Sequence, residues 1–558
     1  MDNQRLILFF GLVLVSFLMW EAWTQDYAPK PATISANKTV TPQMPAAPGD
    51  VPATQRSALN ELAPRIASES EVVAADVASS QRIRVKTDTL EIVIESRGGD
   101  IREVDLLKYP AASSEPGNPF QLMKDTLPNL FVAQSGLLST AEAPDHYALF
   151  SAEKSEYLLA EGQNELRVPL VWQGDNGIKV TKTLVFSRGN HFVDIEQRVE
   201  NGSAEPWSGS QYRQLQRSLP DGSNSSFFIH TYTGGVIYSE AEKYEKIDFD
   251  DMATADLNRE ITGGWAAMIQ HYFLAGFIPA QNEINKFYTK VASADRYVIG
   301  LVSPVKVVQP GQSDSFSSRL YVGPKEQETL ADLAPGLELT VDYGMLTVIA
   351  KPLFWVMNWF HGLVGNWGWA ILMVTLVIKL IFFPLSAASY RSMANMRKFA
   401  PKMQQLKERY GDDRQRMSQA MMELYKKEKI NPLGGCLPMI VQIPVFIALY
   451  WVLLESVELR QAPFILWVQD LSIKDPYYIL PLLMGVSMFI QQKLNPAPPD
   501  PIQAKVMMAL PIIFTLFFAF FPAGLVLYWL ANSVLSVAQQ WYITAKIDKA
   551  TAAAAVNK

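Results

Sequence analysis

Residues 367–385 read WGWAILMVTLVIKLIFFPL, a run whose only clear polar interruptions are Thr375 and Lys379. At ~1.5 Å of helical rise per residue, such a run is just long enough to cross the ~30 Å hydrocarbon layer of a bilayer. Comparable runs occupy 6–20 (continued by Ala22 and Trp23), 436–454 (broken by Gln442), 477–490, 506–521 and 523–542, the last two separated by Pro522. Several are shorter than the ~20 residues of a full span, so local thinning of the bilayer is expected. The pattern predicts a polytopic α-helical membrane protein with six spans: an anchor at 1–23, then a five-span core within 341–558.

Charge sets the orientation. Residues 6–378 carry a net −14, whereas 386–432 hold eleven basic and five acidic residues. Lys/Arg weight places loops 386–432 and 491–505 and the C-terminal tail in the cytoplasm, and 24–366 and 455–476 outside. Both termini are then cytoplasmic. The first run could also be a cleavable signal peptide. Its end, Trp20-Glu21-Ala22-Trp23, is bulky where a cleavage site needs small residues, which favours an uncleaved signal-anchor.

The exported region has two textures. Residues 24–80 are rich in Pro, Ala, Thr and Ser and read as a flexible linker. From 81 to 340 the pattern alternates polar and apolar, as in Arg82-Ile-Arg-Val-Lys and Lys179-Val-Thr-Lys-Thr-Leu-Val-Phe, with breaks at Gly98-Gly99 and Arg188-Gly189-Asn190. Period-two runs between turn residues predict antiparallel strands, here enough for a large β-sandwich. His191, Asp194 and Glu196 do not read as a catalytic set, because 191 faces opposite to 194 and 196 on a strand. The aromatic residues Phe227, Phe228, Tyr232 and Tyr238 read as packing between sheets, with a sugar or peptide site as the alternative.

Polar residues inside spans are costly and mark function. Lys379 and Gln442 both sit about 10 Å inside the inner boundary, counted from the cytoplasmic ends of their runs. Thr375 lies one turn from Lys379 on the same face. In the last run Asn532, Ser533 and Ser536 fall in the inner half, while Phe517, Phe518, Phe520 and Phe521 fill the outer half of its neighbour. This predicts a wet groove open to the cytoplasm and sealed outward. Snorkelling of Lys379 to the headgroups is the alternative. The loop 386–430 reads as a helical hairpin, kinked at Pro401 and broken at Gly411, with a stripe through Met393, Met396, Met403, Met417 and Met421 suited to varied apolar partners. Its basic face suits anionic headgroups or ribosomal RNA. Residues 343–366, with Trp355, Trp359 and His361, suit a helix at the outer interface.

Composition excludes other classes. A single cysteine, Cys436, and five scattered histidines offer neither a disulfide framework nor metal-ligand spacing. No phosphate-binding loop is present, so no nucleotide, cofactor or metal is expected.

Asn431-Pro-Leu-Gly-Gly-Cys-Leu-Pro, Gln442-Ile-Pro-Val-Phe, Ser456-Val-Glu-Leu-Arg-Gln-Ala-Pro-Phe, Asp475-Pro-Tyr-Tyr-Ile-Leu-Pro and Phe521-Pro-Ala-Gly-Leu-Val-Leu-Tyr resemble the core of the YidC-type membrane protein insertases. The likeness is dense over 350–545 and extends to the order of anchor, exported domain and core. It implies a non-enzymatic insertase and chaperone for nascent membrane proteins in a Gram-negative inner membrane, working alone or with the Sec translocon, with ribosome and membrane lipids as further partners. It implies an exported β-supersandwich of the sugar-mutarotase type, without sugar chemistry. The groove residues expected from depth and helix face, read with this resemblance, are Lys379, Thr375, Gln442, Tyr528, Asn532 and Ser533. Lys379 departs from the family's usual Arg, replacing a bidentate fork with a point charge. Two other readings remain: a transporter or lipid scramblase using the same groove, and a tethered sugar-active periplasmic enzyme.

Overall fold

The computed structural model describes residues 80–219, 231–293, 295–411, 413–427, 437–494 and 501–556. The anchor at 1–23 and most of the linker lie outside the described residues, as do Phe227, Phe228 and Cys436. The chain divides into two compact units, one comprising 80–351 with 448–463 and the other 352–447 with 464–556.

The first unit is a two-sheet β-sandwich. One sheet runs, in spatial order, Asn258–Thr262, Ile284–Ser293, Arg296–Val302, Trp207–Ser218, Phe131–Ser139, Asp100–Pro110, Leu90–Glu95, Arg82–Lys86 and Glu156–Leu158. The other runs Lys243–Ile247, Gly234–Ser239, Trp265–Ile269, Phe273–Ile278, Ser313–Pro324, Phe192–Asn201, Ile178–Ser187, Glu165–Gln173 and Ser151–Ala152. The pairing of Arg82–Lys86 with Glu156–Leu158 is parallel, where alternation alone leads one to expect antiparallel partners.

Alternation explains the core. Ile178, Val180, Leu184 and Phe186 point inward and sit opposite Asn201, Val199, Ile195 and Val193 in register. The pattern has one charged intruder. Lys182 occupies an inward position and is fully buried, and its ammonium donates to Gly98 O (2.8 Å) and Ser135 O (3.0 Å) across the sheets. Burial pulls its pKa down to about 8. The Gly98-Gly99 turn explains why those carbonyls are within reach: both residues have positive φ, and a Cβ on Gly98 would meet His146 O at 2.5 Å.

The strand-face charges behave as solvated pairs. Arg319 makes a forked bond to Asp194 at 2.7 and 3.0 Å, while His191 is buried on the opposite side. Tyr238 stacks on Trp265, with ring centres 5.9 Å apart, inside an apolar cluster. Two short helices belong to this unit, α1 (Phe249–Thr254) and α2 (Gln327–Leu333); Leu330 of α2 seals that same cluster.

Helix α3 (Thr347–Val364) follows. It buries Ala350, Phe354 and Met357 and leaves Val348, Trp355, Trp359 and Leu363 exposed along one stripe. The second unit is helical: α4 (Trp367–Ile381), α5 (Phe383–Lys398), α6 (Ala400–Tyr410), α7 (Arg414–Lys427), α8 (Leu437–Glu455), α9 (Ile479–Leu494), α10 (Pro501–Phe518) and α11 (Ala523–Val556), with the last turns of α8 packing in the first unit. The apolar run 367–385 is not one rod. It breaks at Phe382, and α4 and α5 diverge by 64°. Pro384 explains the break, because its ring would clash with the carbonyl four residues earlier. The hairpin breaks again at Phe399, two residues before Pro401. Among the described residues no single helix is long and apolar enough to cross a membrane; the bent pair α4–α5 passes that test together, and 441–455, 479–494 and 505–518 are shorter apolar helices.

Candidate functional site

Helices α4, α8 and α11 bring the predicted polar residues together in two pairs. Lys379 Nζ donates to Ser536 Oγ at 2.7 Å, and Gln442 Nε2 donates to Asn532 Oδ1 at 2.6 Å. Asn532 and Ser536 are four residues apart and so share one face of α11, and the Ser536 hydroxyl in turn donates to Asn532 O at 2.7 Å. Tyr390 of α5 also reaches Ser536. Among the described residues no carboxylate pairs with Lys379.

Three predicted members stand differently. Thr375 is fully buried and spends its hydroxyl on Ile371 O one turn back (2.7 Å), which makes it part of its own helix. Ser533 is buried beside the pairs without joining them. Tyr528 is fully buried; its ring stacks with Phe446 and its hydroxyl lies near Gln442 without completing a hydrogen bond. The expected groove set leaves out Ser536, although depth counting places it in the inner half of its run, and also Tyr390 and Gln539. Ser536 and Gln539 follow Asn532 at +4 and +7, a helical spacing that puts them on its face. The side-chain amide of Gln539 is buried with no hydrogen-bond partner among the described residues.

An aromatic cluster closes one side of this seam. Trp529 meets Phe446 edge-on at 4.5 Å and Phe518 at 5.2 Å, and Phe518 continues to Phe517 and Phe521. The arrangement is a short polar seam walled by aromatic and aliphatic side chains, with one unpaired cation and amide groups that can exchange partners. Nothing in it resembles a nucleophile–base pair. Among the described residues, no cluster of His, Cys, Asp or Glu could hold a metal.

In the hairpin, Met403 is buried and Met393 and Met417 are half-buried, while the side chains of Met396 and Met421 lie outside those described.

Comparison with known proteins bears on both units. Residues 82–356 match the model of the YidC periplasmic domain, and 359–550 match that of the 60Kd inner membrane protein. The chain is 54% identical to the membrane protein insertase YidC of Thioalkalivibrio sulfidiphilus over 99% of both chains. It is 55% identical to that of Methylococcus capsulatus over 99% of this chain and 100% of the relative. A crystal structure of an active YidC insertase with its first transmembrane domain resolved aligns over 83% of this chain and 92% of its own, at 17% identity and a TM-score of 0.39. End-to-end identity above half, across the β-sandwich and the helical unit alike, means that the chain belongs to the YidC family, as a member with a periplasmic domain joined to an inner-membrane core.

Proposed function

We propose that this chain inserts newly made membrane proteins into the bacterial inner membrane through the seam between α4, α8 and α11. The observation that carries the reading is the pair of hydrogen bonds Lys379–Ser536 and Gln442–Asn532, set between the largely apolar helices α4, α8 and α11 and closed on one side by the Phe446–Phe518–Trp529 cluster. A hydrophilic tail crossing a bilayer must exchange water for other polar partners, since an unsatisfied polar group in hydrocarbon costs several kcal/mol. The seam offers such partners partway across. Its hydrogen bonds are side chain to side chain, so an incoming segment can replace them one at a time.

The rest of the chain fits the same route. Six spans put both termini in the cytoplasm and the β-sandwich in the periplasm. The basic hairpin α5–α7 receives the apolar segment from the ribosome. Short apolar helices thin the bilayer around the seam, shortening the remaining crossing. The exposed stripe Val348–Trp355–Trp359–Leu363 of α3 rests in the outer interface. The inserted segment leaves sideways into lipid, and its transfer from water to hydrocarbon drives the step without nucleotide. The chain works alone or beside the Sec translocon.

The test is a photo-crosslinking residue at Gln442 in the reconstituted protein, presented with ribosome-stalled, short-tailed membrane proteins. A crosslink that depends on nascent-chain length supports the path. Crosslinks to lipid alone, with insertion intact, would move the substrate path elsewhere, and lipid flux without a nascent chain would favour a scramblase.

A further inference from the structure

In the helical unit, the loop 464–478 that leads into α9 has its polarity turned inside out. Its acids are inside. Asp475 is 1% exposed, and its carboxylate accepts from Trp467 Nε1 (3.1 Å), Tyr477 N (3.0 Å) and Leu480 N (2.7 Å). Asp470 is also buried and accepts from the backbone N–H and the hydroxyl of Ser472, at 2.8 and 2.7 Å. The aliphatic and aromatic side chains are outside. Ile465, Leu466, Ile473, Tyr477 and Tyr478 are all exposed, Leu466 to 75%. A single exposed apolar residue needs no explanation, but a loop that hides its charges and shows its aliphatics does.

The loop is not merely uncollapsed, because Val468 and Leu471 are buried within it. Its outward side chains are held there against backbone preference: Leu466 and Tyr478 have φ of 54° and 57°, a left-handed region that bulky residues rarely occupy. The backbone is pinned at the level of the helix ends. At the start of α11, Ala523 N donates to Ile473 O at 2.7 Å and Gly524 N to Leu471 O at 2.9 Å. Asn366, the N-cap of α4, donates through Nδ2 to Phe464 O at 3.2 Å, and the Phe464 ring lies edge-on to Trp369. The loop therefore lies close against the first turns of two apolar helices. In sequence, the exposed apolar side chains run on from Tyr477 and Tyr478 into Leu482, Leu483 and Val486 of α9.

We propose that the loop 464–478 is a lipid anchor, whose Ile465, Leu466 and Ile473 enter the boundary between headgroups and acyl chains beside the first turns of α4 and α11. The expected depth is about 5–10 Å, with Tyr477 and Tyr478 at headgroup level. Lipid is the occupant because a low-dielectric exterior demands that both carboxylates be turned in and met by donors, which water outside does not. The anchor ties one end of two of the three seam helices to the bilayer surface. It rests on the membrane placement in the proposed function and adds a contact that the helices alone do not make.

The experiment uses the full chain with Cys436→Ser, in vesicles of phosphatidylethanolamine and phosphatidylglycerol, spin-labelled at Leu466→Cys. The quantity read is the ratio of the label's collisions with oxygen, which partitions into lipid, to those with a water-soluble nickel chelate. The ratio should exceed that of free label in buffer at least fivefold, and a label at Val486→Cys on α9 should exceed it further. Adding Ile465→Asp and Ile473→Asp should return the ratio at 466 to within twofold of free label. If Leu466→Cys fails to fold, Ile473→Cys and Tyr477→Cys carry the same expectation. A ratio at 466 equal to that in buffer would put the loop in water and overturn the anchor. Suppressed collisions with both agents would mean that protein covers the loop, and would overturn it too. A water-like ratio at 486 would overturn the membrane placement of the helices, and the anchor with it. A lipid signature at 466 in a chain that inserts no short-tailed membrane protein would uphold the anchor and overturn the insertion reading alone.

Discussion

At the scale of single residues, Lys379 is defined by what it lacks. It spends one of three donors on Ser536, and among the described residues it has no counter-ion. On the proposed route, a cation so placed would attract an acidic tail by charge rather than by a shaped fork. Lys379→Ala should therefore lower insertion of acidic-tailed substrates at least fivefold. Lys379→Arg should keep most of the activity, and Lys379→Glu should be no better than Ala, as read by protease protection of the inserted tail. Equal insertion by all four chains would remove charge attraction from the mechanism. His271 makes a different kind of prediction. Burial pulls its pKa down to about 4, so the folded state holds the ring neutral where the unfolded chain, with its ordinary value of 6.5, binds a proton. Stability should then fall as pH drops from 6.5 toward 4, by on the order of 3 kcal/mol from this group alone. His271→Gln removes the titration, so the unfolding free energy of the full chain in detergent should slope less steeply across that window. An identical slope would mean that other groups carry the acid sensitivity.

At the scale of elements, Pro384 decides how the hairpin leaves the membrane unit. The apolar pattern alone describes a single rod from 367 to 385, because hydropathy counts residues and does not see a lost hydrogen bond. The break at Phe382 comes from backbone sterics that one proline imposes. Pro384→Ala should let α4 run on into α5. Spin labels at positions 372 and 392, in a chain with Cys436→Ser, are separated by ten residues on either side of the break. A 64° bend sets them about 25 Å apart and a straight helix about 30 Å. Pulsed dipolar spectroscopy should record that lengthening of about 5 Å. An unchanged distance would place the cause of the bend in tertiary packing.

At the scale of the whole molecule, legibility followed the range of the forces involved. The sandwich could be read because alternation is local: each inward Val, Ile or Leu of 178–186 and 193–199 announces its face within two residues. The polar seam was half legible. Depth counting brought Lys379 and Gln442 to one level and put Asn532 and Ser536 in the same inner half, but it did not show which pairs with which, and Thr375 turned back to its own backbone. The buried ion pair of Lys325 with Glu455, at 3.1 Å, was not legible at all, since the two lie 130 residues apart and each alone reads as a solvated charge. Composition gives an expected orientation across the membrane, through the contrast between a net −14 over 6–378 and eleven basic residues within 386–432. It makes a prediction for the intact chain. With Cys436→Ser as background, a cysteine placed at Ser317, exposed on the outer face of the sandwich, should react with a membrane-impermeant maleimide in intact spheroplasts. One placed at Gln405, exposed on α6, should react only after the membrane is opened. Labelling in the reverse order would invert the expected topology and overturn the proposed cytoplasmic entry to the seam.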